Sequence, residues 1–145
     1  MAIARPVDRR LFLLLDSTHA RLSKKIDKTL AKSAGLKTAQ AAALAYLGYH
    51  DECTLSELAE GVGHNNSAIT ALVDRMSSAG LVERVRVLSD GRSRKVRLTA
   101  KGWSMREIVM TDFRDFNDRM VKGFTAGEIE TVYKFLGRVV DNVTE

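Results

Sequence analysis

Disulfides, membrane spans and catalytic signatures are all missing from this sequence. Cysteine occurs once, at Cys53, which excludes an internal disulfide and fits a reducing compartment. Apolar runs such as Leu11 to Leu15 and Ala41 to Leu47 fall far short of the roughly 20 residues a membrane-spanning helix requires, so no membrane partner is expected. Arg5, Arg9 and Arg10 precede a brief apolar stretch broken by Asp16 and His19, which is not a secretory signal. Cytoplasmic residence is the resulting expectation. No Gly-rich phosphate loop, no G-x-S-x-G and no His/Cys/carboxylate cluster is found, which argues against an enzyme and gives no reason to expect a cofactor. His19, His50 and His64 are far apart, and no Cys/His pair has ligand spacing, so no metal is expected. The only proline is Pro6, and no repeat, low-complexity tract or linker divides the chain.

What the sequence does have is concentrated positive charge. The formal net charge is +5, and Val82 to Lys101 alone accounts for it: Arg84, Arg86, Arg92, Arg94, Lys95, Arg97 and Lys101 stand against Glu83 and Asp90. A balanced body with one basic projection suits a polyanion partner, because local potential steers association more than overall charge does. A merely solvated hairpin is the bland alternative.

The hydrophobic period is helical along most of the chain. From Val7 to Ala34, Leu11, Leu14, Leu15, Leu22, Ile26 and Leu30 recur at helical spacing, and Gly35 ends the run. Thr38 is the expected N-cap of an alanine-rich helix from Ala39 to His50, and Thr54-Leu-Ser-Glu57 announces a third helix with a capping box. A fourth is expected from Asn66 to Ala79, with Asn65 as N-cap, Gly80 as the left-handed stop and Leu81 folded back over the last turn.

The period then becomes two. Val85 and Val87 alternate with Arg84 and Arg86, and Val96 and Leu98 with Lys95, Arg97 and Thr99, about Asp90-Gly91. This predicts a two-stranded hairpin with one apolar and one basic face. Helix resumes from Ala100 to Lys122, with Trp103, Ile108, Val109, Phe113, Phe116 and Met120 as candidate buried positions. A last helix is capped by Thr125-Ala-Gly-Glu128 and carries Ile129, Val132, Tyr133, Leu136, Val139 and Val140.

Within Leu55 to Asp74, the positions of Ala59 and Gly63 match the needs of two helices joined by a tight turn. Alanine permits close approach of the backbones, glycine permits the turn, and Leu58, Val62, Ile69 and Leu72 face inward. His64 departs from the pattern, standing just after the turn where an aliphatic residue is usual. In such a helix-turn-helix the second helix presents Asn66, Ser67, Ala68, Thr70 and Ala71, small and hydrogen-bonding residues suited to base edges in a major groove. Asn65 reads first as a cap. A basic hairpin directly after this motif makes a winged helix. Arg92 and Arg94 are then candidates for a minor groove, and Arg84, Arg86, Lys95 and Arg97 for phosphates, with Asp90 capping the turn or steadying an arginine.

The run Leu58 to Gly102 resembles the MarR family of bacterial transcriptional regulators. It shares the glycine-leucine-valine step after the recognition helix and the wing pattern D-x-R-x-x-x-V-x-L-T-x-x-G, here Asp90, Arg92, Val96, Leu98, Thr99 and Gly102. The resemblance implies a mainly α fold with a β-hairpin wing: a winged helix-turn-helix over 38–99, its wing 82–99, and dimerisation helices over 7–36 and 100–145. It implies a homodimer on a palindromic double-stranded DNA operator, a role commonly repressive, and release by a small aromatic or phenolic ligand. Arg92 would enter the minor groove, steadied by Asp90, and Arg75 matches a family position near the DNA backbone or the wing. The ligand pocket would draw on His19, Tyr46, His50, Trp103 and Phe113. Independently, the outer helices carry more apolar positions than a lone chain of this length covers. Competing readings are a redox sensor based on Cys53, whose neighbours Asp51 and Glu52 oppose thiolate formation, and an architectural or adaptor winged helix without ligand response.

Overall fold

A computed structural model describes residues 10–86 and 94–144. The elements are α1 (Leu11–Ser33), α2 (Thr38–Tyr49), β1 (Cys53–Thr54), α3 (Leu55–Val62), α4 (Asn66–Ser78), β2 (Val82–Arg86), β3 (Arg94–Leu98), α5 (Ala100–Met120) and α6 (Ala126–Val143). They divide into two compact units, the first ending at Asp112 and the second starting at Phe113. The expected hairpin turn at Asp90-Gly91, the residues Asp90 and Arg92, and the start of the first helix at Val7 lie outside the described residues.

The core of the first unit is where the helical period placed it. Ile26 and Leu30 of α1, Leu44 and Leu47 of α2, Leu58 of α3, and Ile69, Leu72, Val73 and Met76 of α4 are buried together with Val96, Leu98 and Val109. Each large aliphatic side chain withdrawn from water contributes roughly 1.5–3 kcal/mol. Ala41 and Ala43 are wholly buried, as expected of a helix held close to its neighbours. Gly35, expected to end α1, takes φ +68°, just beyond the cap Ala34.

Two local expectations need correction. Lys37, not Thr38, is the N-cap of α2; Thr38 is the first helical residue, and its amide and hydroxyl both donate to Asp27 Oδ1, at 2.6 and 2.7 Å. The acceptor for the start of α2 thus comes from α1, eleven residues upstream, where no short motif would reveal it. At α3, Thr54 Oγ1 accepts from the amide of Glu57 at 3.1 Å, but the reciprocal half of the capping box is not made. Thr54 is simultaneously a residue of β1, paired with Lys95. The box at α6 is complete: Thr125 Oγ1 accepts from Glu128 N, and Glu128 Oε2 accepts from Thr125 N.

The hairpin is part of a three-stranded antiparallel sheet in the order β1-β3-β2, so β3 is central. The register pairs Arg84 with Val96, Val82 with Leu98 and Arg86 with Arg94. Directly paired residues share a face. The alternation of β2 is therefore out of phase with that of β3, and the predicted separation into one apolar and one basic face does not occur. Val82, Val96 and Leu98 share a face with Arg84, Arg86 and Arg94, whereas Val85 shares the other with Glu83, Lys95 and Arg97.

The sheet, α4 and α5 meet at one joint. Leu81 folds back, its amide donating to Met76 O at 2.9 Å, with Gly80 at φ +75° making the turn. Thr99 then donates its amide to Leu81 O and its hydroxyl to Gly80 O, at 3.1 and 2.6 Å, while the same hydroxyl accepts from Gly102 N at 3.0 Å. Gly102 is buried, and a Cβ there would lie 2.0 Å from Leu81 O. The T-x-x-G step of the wing pattern is thus a steric requirement.

Farther along α5, Arg106 reaches the last turns of α2. Its Nε donates to Leu44 O at 3.1 Å and its Nη2 to Ala45 O at 3.2 Å, and the guanidinium lies over the Tyr49 ring at 4.8 Å. It occupies the space a Cβ on Gly48 would need.

Of the candidate buried positions of α5 only Val109 is fully so, and Trp103, Ile108 and Met120 are exposed; the apolar residues Val132, Tyr133, Leu136 and Val140 of α6 are exposed too. No residue of α6 is buried in the single chain. Because the opposing atom at Gly102 is backbone and cannot swing away, Gly102→Ala is expected to destabilise the fold by about 2–3 kcal/mol, measured by urea denaturation. An unchanged midpoint would contradict this packing.

Candidate nucleic-acid interface

The helix-turn-helix is formed by α3 and α4. Ala59 is 3% exposed where the helices cross, and Gly63 caps α3 in the left-handed region at φ 71°, ψ 34°. His64 is exposed, and its amide donates to Ala59 O at 2.9 Å. Asn65 is the N-cap of α4, its Oδ1 accepting from Ala68 N at 2.8 Å and from Ser67 Oγ at 2.9 Å.

Asn65, Asn66, Ser67, Ala68, Thr70, Ala71 and Arg75 are all exposed, while Ile69, Leu72, Val73 and Met76 hold the opposite side of α4 in the core. Their hydrogen bonding sets them apart. Ser67 is engaged with Asn65, and Thr70 Oγ1 donates to Asn66 O at 2.9 Å. Among the described residues the side-chain amide of Asn66, which has both a donor and an acceptor to offer, meets no hydrogen-bond partner. Ala68 and Ala71 present methyl groups, the chemistry that meets a thymine methyl.

The base of the wing is fixed by ion pairs that the charge count alone did not reveal. Arg84 Nη2 is 2.5 Å from Asp74 Oδ1, which ties β2 to α4. Arg97 binds Glu83 Oε1 at 2.7 Å and Glu52 Oε1 at 3.2 Å. Glu52 holds this position at φ +55°, an uncommon conformation for a residue other than glycine. Two of the arginines read as phosphate contacts are therefore occupied within the chain. Arg86 and Arg94, paired across the strands and both exposed, and the half-buried Lys95 carry the remaining described charge of the wing.

Asp74 and Glu52 were missed in the sequence as partners of the wing. Only their neighbourhood hinted at them: Asp74 is an isolated acid on the exposed side of α4, and the charges it answers are ten residues away.

Within the first unit, the residues expected to line a ligand pocket fall at separate places among the described residues. Tyr46 and His50 stack with ring centroids 4.3 Å apart, and the Tyr46 ring fills the space beside Gly61. Trp103 lies near Arg106, 5.8 Å from guanidinium to ring. Phe113 belongs to the second unit. His19 lines a different cavity, of about 500 Å³, with Ser23, Asp27, Ala42, Val62 and His64.

Cys53 is buried at 3% exposure between the start of α3 and the central strand, paired with Val96. Burial raises its pKa, as does the nearby Glu57, against a smaller lowering by a backbone hydrogen bond. The thiol is therefore protonated and shielded at neutral pH, a poor nucleophile. Tyr46 is likewise pushed up, first by desolvation and then by Cys53, Glu57 and Glu60. Among the described residues no three His, Cys, Asp or Glu side chains gather into a group able to hold a metal, and no helix is long and apolar enough to cross a membrane.

A helix-turn-helix with a small polar outer face, a basic wing pinned beside it and a T-x-x-G joint behind it defines a winged-helix DNA-binding protein. The MarR family model matches residues 34–93. The HTH-type transcriptional repressor IacR of Pseudomonas putida is 28% identical over 132 residues, covering 91% of this chain and 78% of that protein. The PcaV regulator of Streptomyces coelicolor, solved in complex with its natural ligand, shares the fold with a TM-score of 0.78 at 24% identity over 99% of this chain and all of that one. So does the S. aureus MepR–DNA complex, with a TM-score of 0.81 at 18% identity, over 92% of this chain and 96% of that one. Its winged helix-turn-helix region, residues 34–93, matches the MarR family, and the relatives and structures the chain resembles are transcriptional regulators.

The raised pKa of Cys53 carries a sign that can be checked. The pH at which the thiol becomes reactive should lie above the ordinary cysteine value of about 8.5, and alkylation of the native protein by iodoacetamide at pH 7.5 should be far slower than in urea. Equal rates would show an open, reactive thiol.

Proposed function

We propose that the protein is a homodimeric repressor that occupies a palindromic operator and releases it when a small aromatic or phenolic ligand binds. The observation that carries this reading is the exposed face of α4, with Asn66 at its start, beside a wing held to the same helix by Asp74 and Arg84. Asn66 would read a base edge in the major groove. Arg86 and Lys95 would contact phosphates, and Arg92, by its place in the wing pattern, the minor groove with Asp90 as its support and Arg94 beside it. IacR bears the name of a repressor, and MepR is bound to DNA in the same fold.

Dimerisation by the outer helices accounts for apolar surface that a single chain leaves in water. Phe12, Leu13 and Leu14 of α1 are 45–77% exposed. Within the second unit, Met120, Phe124, Val132, Tyr133 and Leu136 line one apolar groove of about 330 Å³ and are largely uncovered. Segments 7–36 and 100–145 would form the dimer, and 38–99 the DNA-binding region. Two-fold symmetry then matches a palindrome. A regulator of this kind works where the chromosome is, in the cytoplasm.

For the ligand we place the site in the cavity between α1 and the turn of the helix-turn-helix. Its apolar lining includes Ala42 and Val62, and its polar groups are His19, Ser23, Asp27, Lys37, Thr38 and His64, the mixed composition of a small-molecule site. His64 immediately precedes the N-cap of α4, so a ligand drawn against it bears on the recognition helix. PcaV, of the same fold, was solved with its natural ligand. The buried thiol of Cys53 disfavours the redox reading.

Selection of binding sites from randomised duplex DNA tests the whole reading. An inverted repeat with half-sites about one helical turn apart is expected, whereas recovery of no sequence, with affinity that merely collapses in salt, would bring forward an architectural or adaptor role. On the selected site Asn66→Ala and Arg92→Ala should each cost about 1–3 kcal/mol and relax preference at one position, while Lys95→Ala weakens all sequences alike. Equal effects on every sequence would sink that division. Among aromatic acids and phenols screened for release of DNA, an active compound should lose its effect on His64→Ala protein that still binds the operator; an undiminished response would remove the site from this cavity.

A further inference from the structure

A recognition helix lying in a major groove has a phosphate backbone on each side of it. The wing accounts for one side only. Asp74 faces the wing through Arg84, and Arg75, the next residue, is turned about 100° farther around α4. There it lines a cleft of about 480 Å³ with Leu72 and, from the start of α2, Gly35, Lys37, Ala39 and Gln40. The lining holds two cations and an amide and no carboxylate. Lys37 and Arg75 are both exposed, and neither has an acidic partner among the described residues.

Two amides at the start of α2 are already engaged within the chain. Thr38 N donates to Asp27, and Lys37 N donates to Gln40 Oε1 at 3.1 Å. The full charges that the cleft offers an anion are those of the two side chains, Lys37 and Arg75. The contrast with the wing is informative: Arg84 and Arg97 are neutralised within the chain, whereas Lys37 and Arg75 are brought to one cleft from segments 38 residues apart and left uncompensated. Side-chain entropy and mutual repulsion oppose holding two cations together unless an anion is met there.

We propose that Lys37 and Arg75 form a second phosphate clamp, which holds the DNA strand on the side of α4 away from the wing. This rests on the reading of α4 as the groove-bound helix and adds Lys37, which no motif singles out, to the residues that dock the duplex. The clamp fixes register without reading sequence. Held from both sides, α4 is aligned along the groove, so that Asn66 meets one base pair rather than sliding between two.

The test uses the full chain on its selected duplex, titrated at several salt concentrations. Lys37→Ala, Arg75→Ala and the pair are compared with Arg94→Ala as a wing control, and melting curves verify that each variant folds. Each clamp substitution should lower affinity on the order of threefold to tenfold for all sequences and reduce the slope of log K against log salt by about one. A methylphosphonate replacing the contacted phosphate should weaken the wild type but not the double variant. If Arg94→Ala flattens the slope while Lys37→Ala and Arg75→Ala leave it unchanged, the clamp is refuted and the wing interface stands. If none of the three alters the slope, the reading of this face as a DNA surface fails with it.

Discussion

The close approach of Gly102 to the carbonyl of Leu81 is the constraint on which the rest of this structure depends. Three functional parts converge at that point: the end of the recognition helix at Gly80 and Leu81, the end of the central strand at Thr99, and the start of α5. One hydroxyl, that of Thr99, both donates to the helix end and accepts from the amide of Gly102. With no Cβ at 102, α5 lies directly on the loop that terminates α4, so the wing leaves the body at a fixed angle to the helix it assists. A side chain there would push these parts apart, and the wing would no longer be held at that angle to α4.

Charge in the molecule is arranged with the same economy. The wing draws its cations from a short stretch, but those at its base serve the fold: Arg84 is tied to α4 and Arg97 is held between Glu52 and Glu83. Such exposed pairs stabilise little by themselves, typically below about 1 kcal/mol each. Their effect is to restrict direction. The cations farther along the hairpin, Arg86 and Arg94, lack such partners among the described residues, and their charge is what the proposed DNA contact would use.

The parts of this architecture that could be read in the sequence are those set by neighbours along the chain. Ala59, Gly63, Asn65, Gly80 and Leu81 each do what their spacing requires, because a helix crossing, a tight turn and two caps are decided within a few residues. The wing pattern ending at Gly102 was visible for the same reason, though its steric cause was not. What escaped depends on pairing at a distance. The faces of the hairpin were misassigned because alternation within each strand says nothing about phase between strands, and the register puts Arg84 opposite Val96. β1 is two residues long, too short for a period, and exists because β3 has a second edge to satisfy. Asp27 at the start of α2, Asp74 at the base of the wing and Lys37 in the cleft beside α4 all act on elements folded against them from elsewhere. The amphipathic pattern of α6 was plain, yet no residue of it is fully buried in the single chain, and the proposed dimer is what would cover that stripe.

The central claim is that two copies of α4 lie in successive major grooves of one duplex, each with a wing beside it. Hydroxyl-radical footprinting of the protein on its selected site measures this directly. The account predicts two sets of protected sugars related by a dyad, about one helical turn apart, each with protection on both backbones flanking the groove and in the adjoining minor groove. A single unphased window, or uniform protection without a dyad, would contradict it.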